Sequence, residues 1–240
     1  MSISTRRVRA IFRKELREYR RNGSIVAAMA ILPLIFVITP MIQIFALPPA
    51  SSAALRHGDP LLYMLGIPAL VPTVIAAYSV VGERQQGTLE PVLTTPVRRA
   101  EFLAGKALAA LVPSTAISYV VYALVVACVA LFAQPAVASA LVRGTEVLAQ
   151  VLFTPLVAGL SVWIGIGISA RSSDLRVAQQ LSVVASLPSI AVTSLIAYNV
   201  IHPALRLAFG LGAVLLVLDG LGWRVTSAAF DRERLVTGTR

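Results

Sequence analysis

Residues 82–106 read GERQQGTLEPVLTTPVRRAEFLAGK, a polar segment punctuated by Pro and Gly between two apolar runs. Leu61–Val81 precedes it and Ala107–Ala133 follows it, both free of charge. A bilayer core of about 30 Å needs roughly 20 apolar residues at a helical rise of 1.5 Å each. Both flanking runs meet that length. So do Ser24–Leu47, Val147–Ala170 and Val177–Ile201. Pro203–Gly222 is a weaker sixth candidate, with Arg206 and Asp219 near enough to its ends to reach an interface. Runs this long with internal Pro and Gly are helices, because outer-membrane strands are shorter and alternate in polarity. The expected fold is therefore all-α: one polytopic membrane domain over residues 1–240 with six transmembrane helices.

Composition agrees. Only 13% of residues are charged, about half the share usual in a soluble domain. The net charge of +10 could point to nucleic acid, but the basic residues sit between apolar spans, so lipid surface is the expected partner. The single cysteine, Cys128, lies inside a span, cannot form an intrachain disulfide, and reads as a small apolar residue. Ser24–Leu47 is longer than the about 7–15 residues of a signal peptide's apolar region, so it is expected to be retained as a span.

Lys and Arg orient the chain. With six spans, 18 of the 21 basic residues fall on the side of the N-terminus, the 82–106 loop, the 171–176 loop and the C-terminal tail. Arg56, Arg143 and Arg206 fall on the other. The positive-inside rule then puts both termini, and the 82–106 loop, in the cytoplasm of a cell-membrane protein.

Residues 5–22 form a separate element. Val8, Ile11, Phe12, Leu16 and Tyr19 recur at helical spacing, and the remaining surface is mostly Arg, Lys and Glu. The pattern predicts an amphipathic helix in the cytoplasmic interface, apolar side on lipid, ending near Gly23.

Catalytic chemistry is missing. His57 and His202 lie in outer loops without cysteines beside them, so no metal site is expected. Gly105-Lys106 echoes a phosphate-binding loop, but Ala100 and Ala107 stand where that loop needs Gly and Ser or Thr. No cofactor is expected on this chain. Asp219 is the only acidic candidate within a span, and it is expected near the cytoplasmic end. Polarity inside the spans comes from hydroxyls instead, with Ser118, Tyr122, Ser186 and Thr193 as candidate pathway-lining residues. Helix–helix hydrogen bonding is an equal reading of them. Ser161, Gly165 and Ser169 form a small-residue packing face, within the subunit or between subunits. The prolines at 33, 40, 68, 72, 113, 155 and 188 read as hinges or as ordinary bundle geometry.

Inside the 82–106 loop, Gly87-Thr88 breaks the chain and Thr88 can cap a short helix with Pro91 in its first turn. Leu89, Val92 and Leu93 then make a small apolar face, suited to a partner's cleft.

The loop resembles the signature of the type-2 ABC transporter permease family: E-R-x-x-G-T-L-E at Glu83–Glu90, Thr95-Pro96, a basic pair at Arg98-Arg99, and E-x-x-x-G-K at Glu101–Lys106. Lys14-Glu15-Leu16 is similar to that family's N-terminal interface helix, and Phe230–Leu235 to its F-x-R-E-R-L ending. The segment between the fifth and sixth spans is short, a departure that implies reduced outer re-entrant helices.

The resemblance implies the membrane-spanning permease subunit of an ATP-driven exporter. It implies a second permease copy or paralogue, and two cytosolic ATPase subunits that bind the ATP and Mg. Glu83, Arg84, Gly87, Thr88, Leu89, Glu90, Val92, Leu93, Pro96, Arg98 and Arg99 would then couple to the ATPase. Glu83, Arg84, Glu90, Arg98 and Arg99 would form the charged rim around the apolar face. The alternatives are a secondary carrier or channel working without an ATPase, or an intramembrane enzyme or non-transporting membrane anchor, the enzyme being disfavoured by the lack of paired catalytic groups.

Overall fold

The computed structural model describes residues 4–45, 60–87, 97–201 and 205–229. Among them it is all-helical. Helix α1 (Thr5–Arg21) leads into α2 (Gly23–Phe45). A 3-10 segment (Pro60–Leu65) opens α3 (Gly66–Gln85), and α4 (Arg99–Phe132) follows. A short α5 (Pro135–Leu141) precedes α6 (Gly144–Arg171), α7 (Leu175–Ala197) and α8 (Leu205–Ala229). Six of these helices are long and apolar enough to cross a membrane.

Asn22 makes the elbow between α1 and α2. Its backbone N–H closes α1 on Glu18 and Tyr19 carbonyls. Its side-chain oxygen accepts from Ser24 N–H at 3.1 Å and Ser24 Oγ at 2.6 Å, satisfying the open first turn of α2. Arg20 and Arg21 in the last turn of α1 suit the negative end of its dipole.

Helix α3 is the axis of the bundle. It is buried almost from end to end, with α6, α7, α4 and α2 around it. Its small residues permit this. Gly66 takes the ring of Phe36 from α2, and a Cβ at that position would overlap it. The small-residue face of α6 packs here, within the chain. A Cβ on Gly165 would come within 2.6 Å of Ala76 Cβ and of the Thr73 carbonyl. Ser161 Oγ donates to the Ala69 carbonyl at 2.8 Å, and Ser169 Oγ donates to the Ala77 carbonyl at 2.6 Å. Ser169 also accepts from Val80 and Val81 N–H, each at 3.0 Å. Close backbone approach and serine hydrogen bonds thus replace the hydrophobic force that lipid does not supply.

The outer surface reverses that of a soluble protein. Ile31, Leu34, Ile38, Leu124, Leu131, Leu216 and Val217 point outward. With every helix satisfying its own backbone, such a surface belongs in hydrocarbon. Helix α4 has 34 residues and is about 51 Å long at 1.5 Å per residue, more than a bilayer core needs. Its first two turns therefore extend past the apolar run, at the end of the bundle where Arg84, Arg171 and α1 also lie. We refer to this as the basic end.

Two expectations need correction. The apolar stripe of α1 rests on protein: Ile11, Phe12 and Tyr19 join the core, and α1 packs on the start of α4. The overhang of α4 supplies that surface. Asp219 does not sit at the end of its span. Helix α8 continues to Ala229, and the Asp219 carboxylate lies against Gly159, near the middle of α6.

Candidate functional site

The basic end gathers the two flanks of the 82–106 loop. Glu83 is in the last turn of α3, Lys106 in the third turn of α4, and Lys14 and Glu15 face them from α1. Lys106 is fully buried. Its Nζ donates to Glu15 Oε1 at 2.9 Å and to the Ser79 carbonyl at 2.6 Å, and lies 3.1 Å from Glu83 Oε2. The ring of Phe102 sits under it, 4.9 Å from Nζ to the centroid. Lys14 Nζ donates to Glu83 Oε1 and pairs with Glu18 at 3.2 Å. Three carboxylates, Glu15, Glu18 and Glu83, thus converge as a metal site would require, but two ammonium groups already lie among them. Burial disfavours the charge on Lys14, but the hydrogen bond and attraction of Glu83, with Glu15 and Glu18, outweigh it and hold its pKa above the ordinary lysine value. Burial, and then the charge of Glu15, push the Tyr19 hydroxyl well above its usual range.

Gly105 explains how α1 comes so close. A Cβ there would meet Ile11 Cγ2 at 2.6 Å and the Val8 carbonyl at 3.3 Å. The Gly-Lys pair is therefore a contact surface followed by a buried cation. Glu101, one turn earlier, accepts from Arg98 N–H at 3.1 Å, from Ser4 N–H at 2.9 Å and from Arg7 Nη1 at 3.1 Å. It caps its own helix and ties down the start of α1.

Arg84 turns the other way. Its guanidinium donates to the Ser172 carbonyl at 2.7 Å and the Ala170 carbonyl at 3.2 Å, capping the open end of α6. Gly87 ends α3 with φ at 67°, the left-handed conformation that favours glycine. This is the break expected at that position.

The expected charged rim is only partly available. Glu83 is 3% exposed and committed to two lysines, and Arg84 to the α6 terminus. Buried charges need partners within the fold, and these two found them there. Arg98 and Arg99 are exposed at the start of α4. Thr88, Leu89, Glu90, Val92, Leu93 and Pro96 lie outside the described residues. Its charge groups Glu15 with the polar surface of α1, yet it is 1% exposed. A signal for this exists in the spacing: Glu15 lies four positions after Ile11 and four before Tyr19, inside the apolar arc.

The four candidate pathway residues do not come together. Ser118 Oγ donates to the Ser114 carbonyl, Ser186 Oγ to Val183, and Thr193 Oγ1 to Ser189 and Ile190, each within its own helix. Tyr122 is buried, with its hydroxyl unbonded among the described residues. Helices α4 and α7, which carry them, are kept apart by the central α3. Only Thr193 borders a sizeable groove, about 460 Å³ between α6, α7 and α8, lined mainly by apolar side chains such as Phe153, Leu160 and Leu211.

A sequence model of the family described as ABC-2 family transporter protein matches residues 9–221. The chain belongs to that family. The match takes in most of α1, the whole 82–106 loop, five spans and the larger part of the sixth. It is thus a multi-pass membrane permease of the ABC transporter class, a transport component and not itself the catalytic subunit. Permeases of this family generally dimerise and work with ABC ATPases. No individual curated protein matches this permease.

Proposed function

We propose that this permease is the membrane-spanning half of an ATP-driven exporter in the cell membrane. Its basic end and both termini face the cytoplasm, and two ATPase subunits that bind ATP and Mg dock on the 82–106 loop. A second permease copy or a paralogue completes the pathway. One observation carries the reading. Each flank of the loop is tied to further helices at the basic end. Glu83 and Lys106 bind each other and α1, and Arg84 holds the end of α6. A displacement of the loop is therefore delivered to α1, α3, α4 and α6 together. The stretch between the flanks carries the apolar face Leu89, Val92 and Leu93, which fits a cleft in a soluble partner, with Arg98 and Arg99 at its edge. The charge asymmetry supports the orientation, since 18 of 21 Lys and Arg fall on this side.

Leu93→Asp tests the coupling. In vesicles holding the permease and its ATPase, we expect normal membrane insertion, continued ATP hydrolysis and loss of transport. Transport at the native rate in that variant would overturn the assignment.

A further inference from the structure

Trp163 and Trp223 are the only two tryptophans of the chain, and they meet on the seam between α6 and α8. Their ring centroids are 5.5 Å apart with planes at 79°. Asp219 lies one turn before Trp223 on α8, and Gly159 one turn before Trp163 on α6. Gly159 leaves room for the carboxylate. A Cβ there would meet Asp219 Oδ1 at 2.9 Å and Oδ2 at 3.1 Å. Gly222 in turn admits the Trp163 ring, since its Cβ would lie 2.8 Å from Trp163 Cγ. The seam thus stacks a carboxylate near the middle of the two helices and, one turn further along each, an edge-to-face indole pair.

Asp219 has no ion-pair partner among the described residues, and its buried Oδ1 accepts no hydrogen bond. Among the described residues its surroundings offer no cation. Helix α6 carries no charge between Glu146 and Arg171, and α4 none after Lys106. Arg224 is five positions further along α8, well round the helix from Asp219. A carboxylate at mid-span is costly unless it is neutralised or paired. Indole faces attract cations. A bare metal ion is a poor fit, because it needs several oxygen ligands and the seam offers one carboxylate among Trp, Gly and Leu. Both indoles and Asp219 are partly exposed, and the outer face of α8 is open along its length, so access is from the bilayer.

We propose that Asp219, Trp163 and Trp223 form a binding site for an apolar organic cation that enters from the membrane. The site names a substrate class for the transport reading and rests on that reading only for the further step of export. The carboxylate supplies the counter-charge, and the indoles hold the cation's apolar body.

Because the chain has no other tryptophan, its indole fluorescence, excited beyond the tyrosine absorption band, reports on this seam alone. Tetraphenylphosphonium, added to the full chain in lipid vesicles, should quench that fluorescence saturably. Asp219→Asn should raise the half-saturating concentration at least tenfold, and Asp219→Glu should hold it within about threefold. In the unmutated chain, tetraphenylborate, of matching size and opposite charge, should quench at least tenfold more weakly. Absence of quenching by the cation overturns the site. So does equal quenching by the anion, or unchanged quenching in Asp219→Asn. The measurement needs no ATPase, so its failure would leave the coupling reading standing, and failure of Leu93→Asp would leave the site standing.

Discussion

Lys106 of α4 and Glu15 of α1, 91 residues apart in the chain, meet at 2.9 Å with both side chains buried. The contact joins the N-terminal helix to the residue that ends the 82–106 loop. Glu83, at the other end of the α3–α4 connection, completes the cluster at 3.1 Å from the same ammonium. Removing the lysine leaves buried Glu15 with only the more distant, partly exposed Lys14 at 3.6 Å, and strips one of the two lysines from Glu83. We expect Lys106→Met to destabilise the bundle by about 3–5 kcal/mol, the cost of breaking a buried pair from one side. Unfolding midpoints of the purified chain would show it. Adding Glu15→Gln to that variant should cost less than the two single changes together, by about 1 kcal/mol or more, since the partners are in contact.

Gly105→Ala tests the close approach of α1. The new methyl would lie 2.6 Å from Ile11 Cγ2, so α1 must shift or Ile11 must change rotamer. Overpacking of this kind costs about 1–3 kcal/mol. The double change Gly105→Ala with Ile11→Ala should recover part of the loss. Protease sensitivity of the 5–22 segment, compared across native, single and double variants, would report the detachment.

Ser169→Ala removes a hydroxyl that bonds three backbone groups of α3, the Val80 and Val81 N–H and the Ala77 carbonyl. Interhelical hydrogen bonds in membranes are worth on average about 0.6 kcal/mol and up to about 1.7. Because three groups are lost at once, we expect the upper part of that range. Ser161→Ala, which frees only the Ala69 carbonyl on α3, should cost less. Unfolding in mixed micelles would rank the two.

The Lys14 cluster has a defined pH behaviour. Its folded pKa lies above the ordinary value of 10.5, so its contribution is fully present below that pH and is lost as pH rises through the folded value. The destabilisation caused by Lys14→Met should therefore be constant from pH 7 to about pH 9.5 and shrink only beyond about 10.5. A cost that fell between pH 7 and 9 would mean that another group titrates at this end.

Much of this arrangement is legible in the residues alone. Five charge-free runs and a sixth with charges near its ends form six membrane-length helices, because an apolar run of that length has few other ways to satisfy its backbone. Gly87 is readable as the end of α3, since a glycine after a helical run favours the left-handed turn. Two acidic residues mislead for different reasons. The charge of Glu15 points to a wet surface, although its position lies in the apolar arc. Asp219 looks like a span edge because the apolar run is taken to end at Gly222, whereas α8 continues to Ala229.

Fold class, the number of spans and the family follow from the residues alone. These depend on local hydropathy and on a contiguous motif, and neither needs distant residues to meet. The 82–106 loop stands out for the same reason. Which of its charges face outward depends on how the helices pack. Glu83 and Lys106 turn inward because α1 returns across the end of α4 and brings Lys14 and Glu15 with it. Pairing between residues so far apart in the chain depends on how helices cross, and glycines at 105, 159 and 165 set those crossings. A charge in a polar loop has two possible fates, a partner inside the fold or water outside it, and the packing of α1 selected between them.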